Sequence, residues 1–160
     1  MNSLVKSLIQ PLLEESSHTI ALYPGKFKPP HRGHFEVAKR LLNKADEVVI
    51  VISRKEHEGI NAQQSKNIWD LYNKLLPNKK LKIEIATDFP SPLDYVFNYI
   101  KTHPEEKVIV SYGKKEGSRY NSLIDKPNVE IYDGGTFDNL NSRDLRSALA
   151  NSKDISKFLP

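Results

Sequence analysis

The chain contains no cysteine, one methionine and one tryptophan among 160 residues. Without thiols it can build neither a disulfide framework nor a thiolate metal site, which agrees with a reducing compartment, and the expected location is the cytoplasm. Long apolar runs are also missing. A membrane-spanning helix needs about 18 or more consecutive apolar residues, and no segment offers them. The opening "MNSLVKSLIQPLLEESS" carries an apolar stripe through Leu4, Leu8 and Leu12, broken at Pro11. It has no long apolar core and no small-residue cleavage site, so we expect neither a signal peptide nor a membrane contact. Two glycine-rich nucleotide signatures are absent as well. Lack of G-x-G-x-x-G argues against a nicotinamide dehydrogenase, and lack of the Walker pattern argues against an ATPase of that type. No internal repeat or low-complexity segment is present.

What is there suits one domain of ordinary size, long enough to bury roughly two thirds of its unfolded surface. Residues 1–16 read as an appended N-terminal helix and residues 17–160 as the domain. The net charge is +4, from 24 Lys and Arg against 20 Asp and Glu. That mild excess suits anionic ligands without selecting one.

Hydrophobic period alternates along the chain between strand and helix. Strands are expected at 18–23, 46–53, 81–87, 107–112 and 128–133. Helices are expected at 34–42, at 65–76 with Ile68, Trp69, Tyr72, Leu75 and Leu76 inward, at 91–103 with Ser91 as N-cap and Pro92 first, and at 142–150 capped by Ser142. The tail "DISKFLP" reads as a terminal turn. Strands separated by helices imply an α/β, Rossmann-like, open and mostly parallel five-stranded sheet with helices on both faces.

In such sheets ligands sit beyond the carboxyl ends of the strands, and the turn from first strand to first helix offers unpaired N–H groups to phosphate. Residues 24–34 form that turn. Gly25 allows close backbone approach, Pro29 and Pro30 stiffen the loop, and Gly33 leaves room at the helix start. His31 and His34 are three apart and share a helix face, where either imidazole can donate to a phosphate oxygen. A His-x-x-His pair alone is more often surface or packing. A zinc site would need a third ligand that nothing nearby supplies, so no metal ligand is assigned. Trp69 falls on an apolar stripe and reads as core; His18, His57 and His103 have no partner pattern.

Taken together, Gly25, Phe27, Pro29, His31, Gly33 and His34 resemble the G-x-F-x-P-x-H-x-G-H signature of the nucleotidylyltransferase superfamily, whose members include adenylyltransferases and cytidylyltransferases. Leu140, Ser142, Leu145 and Arg146 are similar to that superfamily's second element, I-S-x-T-x-[IL]-R, and depart from it at Asn141 and Arg143. The resemblance implies a nucleotidyltransferase that moves a nucleoside monophosphate from ATP or CTP to a phosphorylated small molecule and releases pyrophosphate, with Mg²⁺ carried by the nucleotide. It implies catalytic roles for His31, His34, Lys28 and Arg146. Tyr23, Pro24, Gly25, Lys26, Phe27, Gly33, Ser142 and Arg143 would bind the nucleotide.

Acceptor contacts are expected from Arg54 and Lys55 after the second strand, and from Lys114 and Arg119 after the fourth. There many relatives carry Gly-x-Asp and this chain has Tyr112, Gly113 and Lys114. Two other classes stay open beside the enzyme: a catalytically silent nucleotide sensor, which would keep the same turn, and a nucleic-acid-binding module, for which no motif or aromatic interleaving is present. A homo-oligomer is compatible with the sequence.

Overall fold

The computed structural model describes Leu4 and residues 18–112, 114–123, 125–134 and 140–160, the side chains of 114–117 excepted. The expected helix over 1–16 therefore lies, Leu4 aside, outside the described residues. Five strands form one sheet: β1 (Thr19–Gly25), β2 (Glu47–Ile52), β3 (Lys82–Ile85), β4 (Lys107–Tyr112) and β5 (Val129–Asp133). Their spatial order is β3-β2-β1-β4-β5 and every neighbouring pair is parallel, firmer than the mostly parallel sheet expected from sequence. Continuous apolar runs explain the central strands, because both faces of a parallel sheet are covered. In β2, Val48 to Ile52 are all at most 3% exposed.

Alternation along the strands sorts the side chains into two layers. On one face α1 (Arg32–Leu42) and α2 (Ala62–Asn73) pack through Phe35, Leu41, Trp69 and Tyr72 onto Ala21, Tyr23, Val48, Ile50 and Ile52. On the other, α3 (Pro92–Thr102) and the 3₁₀ segment Lys114–Leu123 pack through Val96, Ile100, Tyr120 and Leu123 onto Ile20, Leu22, Val49, Val51, Val108 and Val110. Each fully buried aliphatic side chain of this kind contributes about 1.5–3 kcal/mol. A last helix, α4 (Ser142–Ala150), precedes a 3₁₀ turn at Ser156–Phe158 whose Phe158 is buried.

Three local expectations are corrected. Helix α2 begins at Ala62 rather than 65, because Asn61 and Gln64 close a reciprocal capping box. It ends at Asn73, so Leu75 lies past the periodic stretch and is 60% exposed instead of inward. The cap of α4 is Asn141, whose side-chain oxygen accepts from the Asp144 N–H, and Ser142 is left as the first helical residue with its hydroxyl free for another use. The cap of α3 is Ser91, with Pro92 first, as expected.

The chain runs outward from β1 to β3 and then returns to β4, so the strand order reverses between β1 and β4. That reversal places a crevice at the carboxyl ends of these two strands. Register sharpens it. β1 pairs with β4 only as far as Leu22↔Val110, whereas it continues beside β2 to Gly25↔Ile52. The last residues of β1 thus part from β4, and the turn after Gly25 is carried toward the opening.

Candidate functional site

Gly25 and Phe27 set the turn's shape. Phe27 has φ of 52°, a left-handed backbone that a bulky side chain adopts only when its surroundings hold it there. Its ring folds back over Gly25 and meets Tyr23, His34 and Trp69 edge to face at centroid distances of 5.2, 5.0 and 5.3 Å. Packing of that ring offsets the backbone strain, which costs roughly 1–3 kcal/mol. Tyr23 and Phe27 were expected at the nucleotide. They are core side chains, 7% and 4% exposed, and they support the turn from beneath.

The carbonyls that follow have no strand or helix partner of their own, and a buried carbonyl without a donor is costly. Each from Lys26 to Pro30 accepts a side-chain hydrogen bond instead. Lys28 Nζ donates to the Lys26 oxygen at 2.7 Å, Ser65 to Phe27 at 2.5 Å and Arg146 to Lys28 at 2.7 Å. Ser142 donates to Pro29 at 2.8 Å and Tyr72 to Pro30 at 3.0 Å. The turn is thereby tied to α2 and α4. Lys28 Nζ also donates to the Ser53 oxygen at 2.9 Å and is 1% exposed, so its ammonium braces the ends of β1 and β2 rather than reaching into the crevice. Burial, with the charge of Lys26 adding to it, pushes that ammonium down to about 8.

His31 is the N-cap of α1. Its Nδ1 accepts from the Gly33 N–H at 3.0 Å, while its own N–H donates to His34 Nδ1 at 3.1 Å. The two rings are stacked, 3.8 Å between centroids and 24° apart. Because each Nδ1 is an acceptor, each ring is neutral and carries its proton on Nε2. Burial agrees, holding His31 down to about 4 and His34 well below its usual value, where the neighbouring His31 adds to the effect. Backbone N–H groups at this helix start, expected from sequence to meet phosphate directly, are in part taken by the imidazoles. Each ring thereby keeps one uncharged donor, its Nε2–H.

Beside the turn, over the ends of β1 and β2, lies a cleft of about 210 Å³. Pro24, Gly25, Lys26, Ser53 and Lys55 form one side, Pro90, Ser91, Pro92 and Leu93 the start of α3, and Arg119 and Tyr120 the remainder. Among the described residues, three cations and no carboxylate line it. Of the residues expected at an acceptor, Lys55 and Arg119 are in this wall, and Arg54 turns its guanidinium to the Thr87 carbonyl at 3.4 Å. The Lys114 side chain lies outside the described residues. Lys26, expected at the nucleotide, lines this cleft as well. Arg143 is exposed on the first turn of α4.

On the other side of the crevice Ser111, the first residue of β4 beyond its pairing with β1, has a buried hydroxyl without a hydrogen-bond partner among the described residues. Gly134 packs over it so closely that a β-carbon would come within 3.0 Å of both Val37 methyls. Sequence reasoning missed Ser65, Tyr72, Ser53 and Ser111, which carry no motif. The capping box that starts α2 at Ala62 is the one readable signal that could have put Ser65 and Tyr72 opposite the turn.

No helix among the described residues is long and apolar enough to cross a membrane. Among these residues no group of three His, Cys, Asp or Glu could hold a metal ion.

The Cytidylyltransferase-like family matches residues 22–85, the span from β1 through β3. A phosphopantetheine adenylyltransferase of Bacteroides fragilis is 27% identical over 150 residues, covering 88% of this chain and 95% of that protein. The Aquifex aeolicus protein of the same name is 31% identical over 64 residues, 39% of this chain and 40% of that one. Among solved structures, a bifunctional NMN adenylyltransferase/ADP ribose pyrophosphatase of Francisella tularensis superposes with a TM-score of 0.68 at 18% identity, over 89% of this chain and 45% of that one. At that identity the likeness is one of fold.

Proposed function

We propose that the chain is a nucleotidyltransferase of the nucleotidylyltransferase superfamily, and that it transfers an adenylyl group from ATP to a phosphomonoester of a small molecule, releasing pyrophosphate. The observation that carries this reading is the stacked pair His31 and His34, two neutral donors at the N-terminus of α1, at the end of a turn whose first residues, Gly25 and Lys26, line a cleft with three cations. ATP as donor is supported by the adenylyltransferase names of the relatives aligned over most of their length.

The reaction needs two anions in line and relief of the charge that gathers on the phosphoryl oxygens. An acceptor phosphate held by Lys26, Lys55 and Arg119 would present an oxygen to the α-phosphorus. As that O–P bond forms, the bond from the α-phosphorus to the bridging oxygen breaks, and pyrophosphate leaves with the electron pair. Nε2–H of His31 and of His34 donate to the oxygens of the α-phosphoryl group, where removal of one such donor costs about 10²–10³ in rate. Arg146 keeps further N–H donors beside the one given to Lys28, and its planar fork suits the β- and γ-phosphates. Mg²⁺ borne by the nucleotide would supply charge neutralisation through phosphate oxygens and water, which needs no acidic cage, and the described residues offer none. No residue in the turn is a serine or cysteine nucleophile, so a single displacement is the expected course.

The test is a screen of ATP and CTP against phosphomonoesters, phosphopantetheine and NMN among them, with pyrophosphate as readout. One acceptor giving turnover with inversion at a chirally labelled α-phosphorus supports the reading. Nucleotide that protects the protein against heat but yields no pyrophosphate with any acceptor would make it a sensor. Retention at phosphorus with a trapped nucleotidyl-histidine would replace the single displacement by two.

A further inference from the structure

The peptide unit joining Pro30 to His31 is hydrogen-bonded at both ends. Its carbonyl accepts from the Tyr72 hydroxyl at 3.0 Å, and its N–H donates to His34 Nδ1 at 3.1 Å. We infer that Tyr72 is a positioning residue for the histidine pair, holding His34 through this one peptide unit in the tautomer that keeps its proton on Nε2.

The Tyr72 hydroxyl has little freedom. Its ring is 6% exposed and lies against Phe35 at 5.8 Å and Trp69 at 5.9 Å, so the O–H is aimed by packing. Burial pushes that hydroxyl up to about 12, and it remains a donor at any working pH. Pro30 is buried, and among the described residues its carbonyl accepts from no backbone N–H but from the Tyr72 hydroxyl, which spares a buried acceptor from going unpaired. A donor on the carbonyl does two things to the peptide. It fixes the orientation of the plane, and it polarises the N–H at the far end, strengthening the bond to His34.

Tyr72 has no route to substrate. It sits on α2 beneath the turn, and its effect must pass through the peptide. Ser65, about two helical turns earlier on α2, acts on the preceding bend by donating to Phe27 and does not share a peptide unit with either histidine. The positioning of the His34 tautomer therefore falls on Tyr72 alone of the two. For turnover the inference rests on the catalytic reading of His34 given above; for the tautomer it does not.

Tyr72→Phe keeps the ring and removes the donor. The expected result is a kcat lower by about tenfold, the scale of one lost buried hydrogen bond, with KM for the triphosphate within about twofold. Ring ¹⁵N spectra of His34 supply the second readout. The intact protein is expected to show an unprotonated Nδ1 and a protonated Nε2, and Tyr72→Phe to show averaging toward both tautomers. A proton on Nδ1 of His34 in the intact protein would overturn the inference before any variant is made, as would His34 nitrogens that do not change in Tyr72→Phe. An unchanged kcat in a variant whose tautomer shifts would overturn its consequence for catalysis. Should no acceptor ever be found, the spectra still decide the tautomer while the proposed function fails separately.

Discussion

The ring of Phe27 occupies the space where Gly25 would carry a β-carbon: built on the backbone, that carbon lies 2.8 Å from Phe27 Cζ. The glycine two residues before the phenylalanine is thus needed for the aromatic ring, and through the ring for the edge-to-face contact that steadies His34. Gly25→Ala should destabilise the protein by about 1–3 kcal/mol, the usual scale of overpacking, and lower turnover in the folded fraction. Phe27→Leu should remove most of the clash, so thermal melts of the two single variants and the double variant are expected to be strongly non-additive.

His31→Ala and His34→Ala are expected to slow transfer by about two to three orders of magnitude, measured as pyrophosphate release at saturating substrates. The variants should separate in stability. His31 is also the cap of α1, and its loss should cost about 1 kcal/mol in a denaturant titration. His34 supports its own helix less, and its variant should melt closer to the intact protein.

The depressed pKa of His31 gives a pH dependence of definite sign. Between about 6.5 and about 4 the unfolded chain binds a proton at this position and the native chain does not. Unfolding free energy therefore falls as pH is lowered through that window and is regained above it, on the order of 1–3 kcal/mol for this group. Transfer itself uses neutral rings, so kcat should show no inflection near 6.5. Lys28 produces the alkaline counterpart: from about 8 to about 10.5 the unfolded chain holds the extra proton, and stability rises with pH there. Chemical denaturation across pH 4–10 measures both slopes.

Arg146→Lys keeps the charge and loses the fork. One ammonium cannot both hold the Lys28 carbonyl and span two phosphates, so KM for the triphosphate should rise by roughly tenfold or more. Arg146→Ala should add a loss of kcat, since the loop carbonyl loses its donor as well. Initial rates against triphosphate concentration separate the two effects.

Much of this was readable from the chain. Parallel strands show themselves as apolar runs such as "EVVIVI", and the histidine turn marks its own place between strand and helix. What could not be read was direction. Lys28 and Phe27 stand in a turn full of chemistry, yet the left-handed backbone at Phe27 sends one ring into the core, and the ammonium turns to carbonyls. Residue types in a turn say nothing of which way φ carries them. Leu75 shows the other gap: it keeps the helical spacing of its neighbours, but the helix stops at Asn73 and the residue faces solvent. Ser65 and Tyr72 have the composition of ordinary helix residues, and their purpose exists only once the turn is folded against them.

The ties that hold the turn also fix when it can be finished. Ser142 and Arg146 reach back across 113 and 118 positions to Pro29 and Lys28. During synthesis the histidines emerge early, but two of the carbonyls beside them stay without donors until the last helix has left the ribosome and docked. A chain stopped short of residue 142 would display the whole signature and an unset loop. The most local-looking part of the molecule, a turn of a dozen residues, is thus among the last to be set, because two of its donors lie on α4.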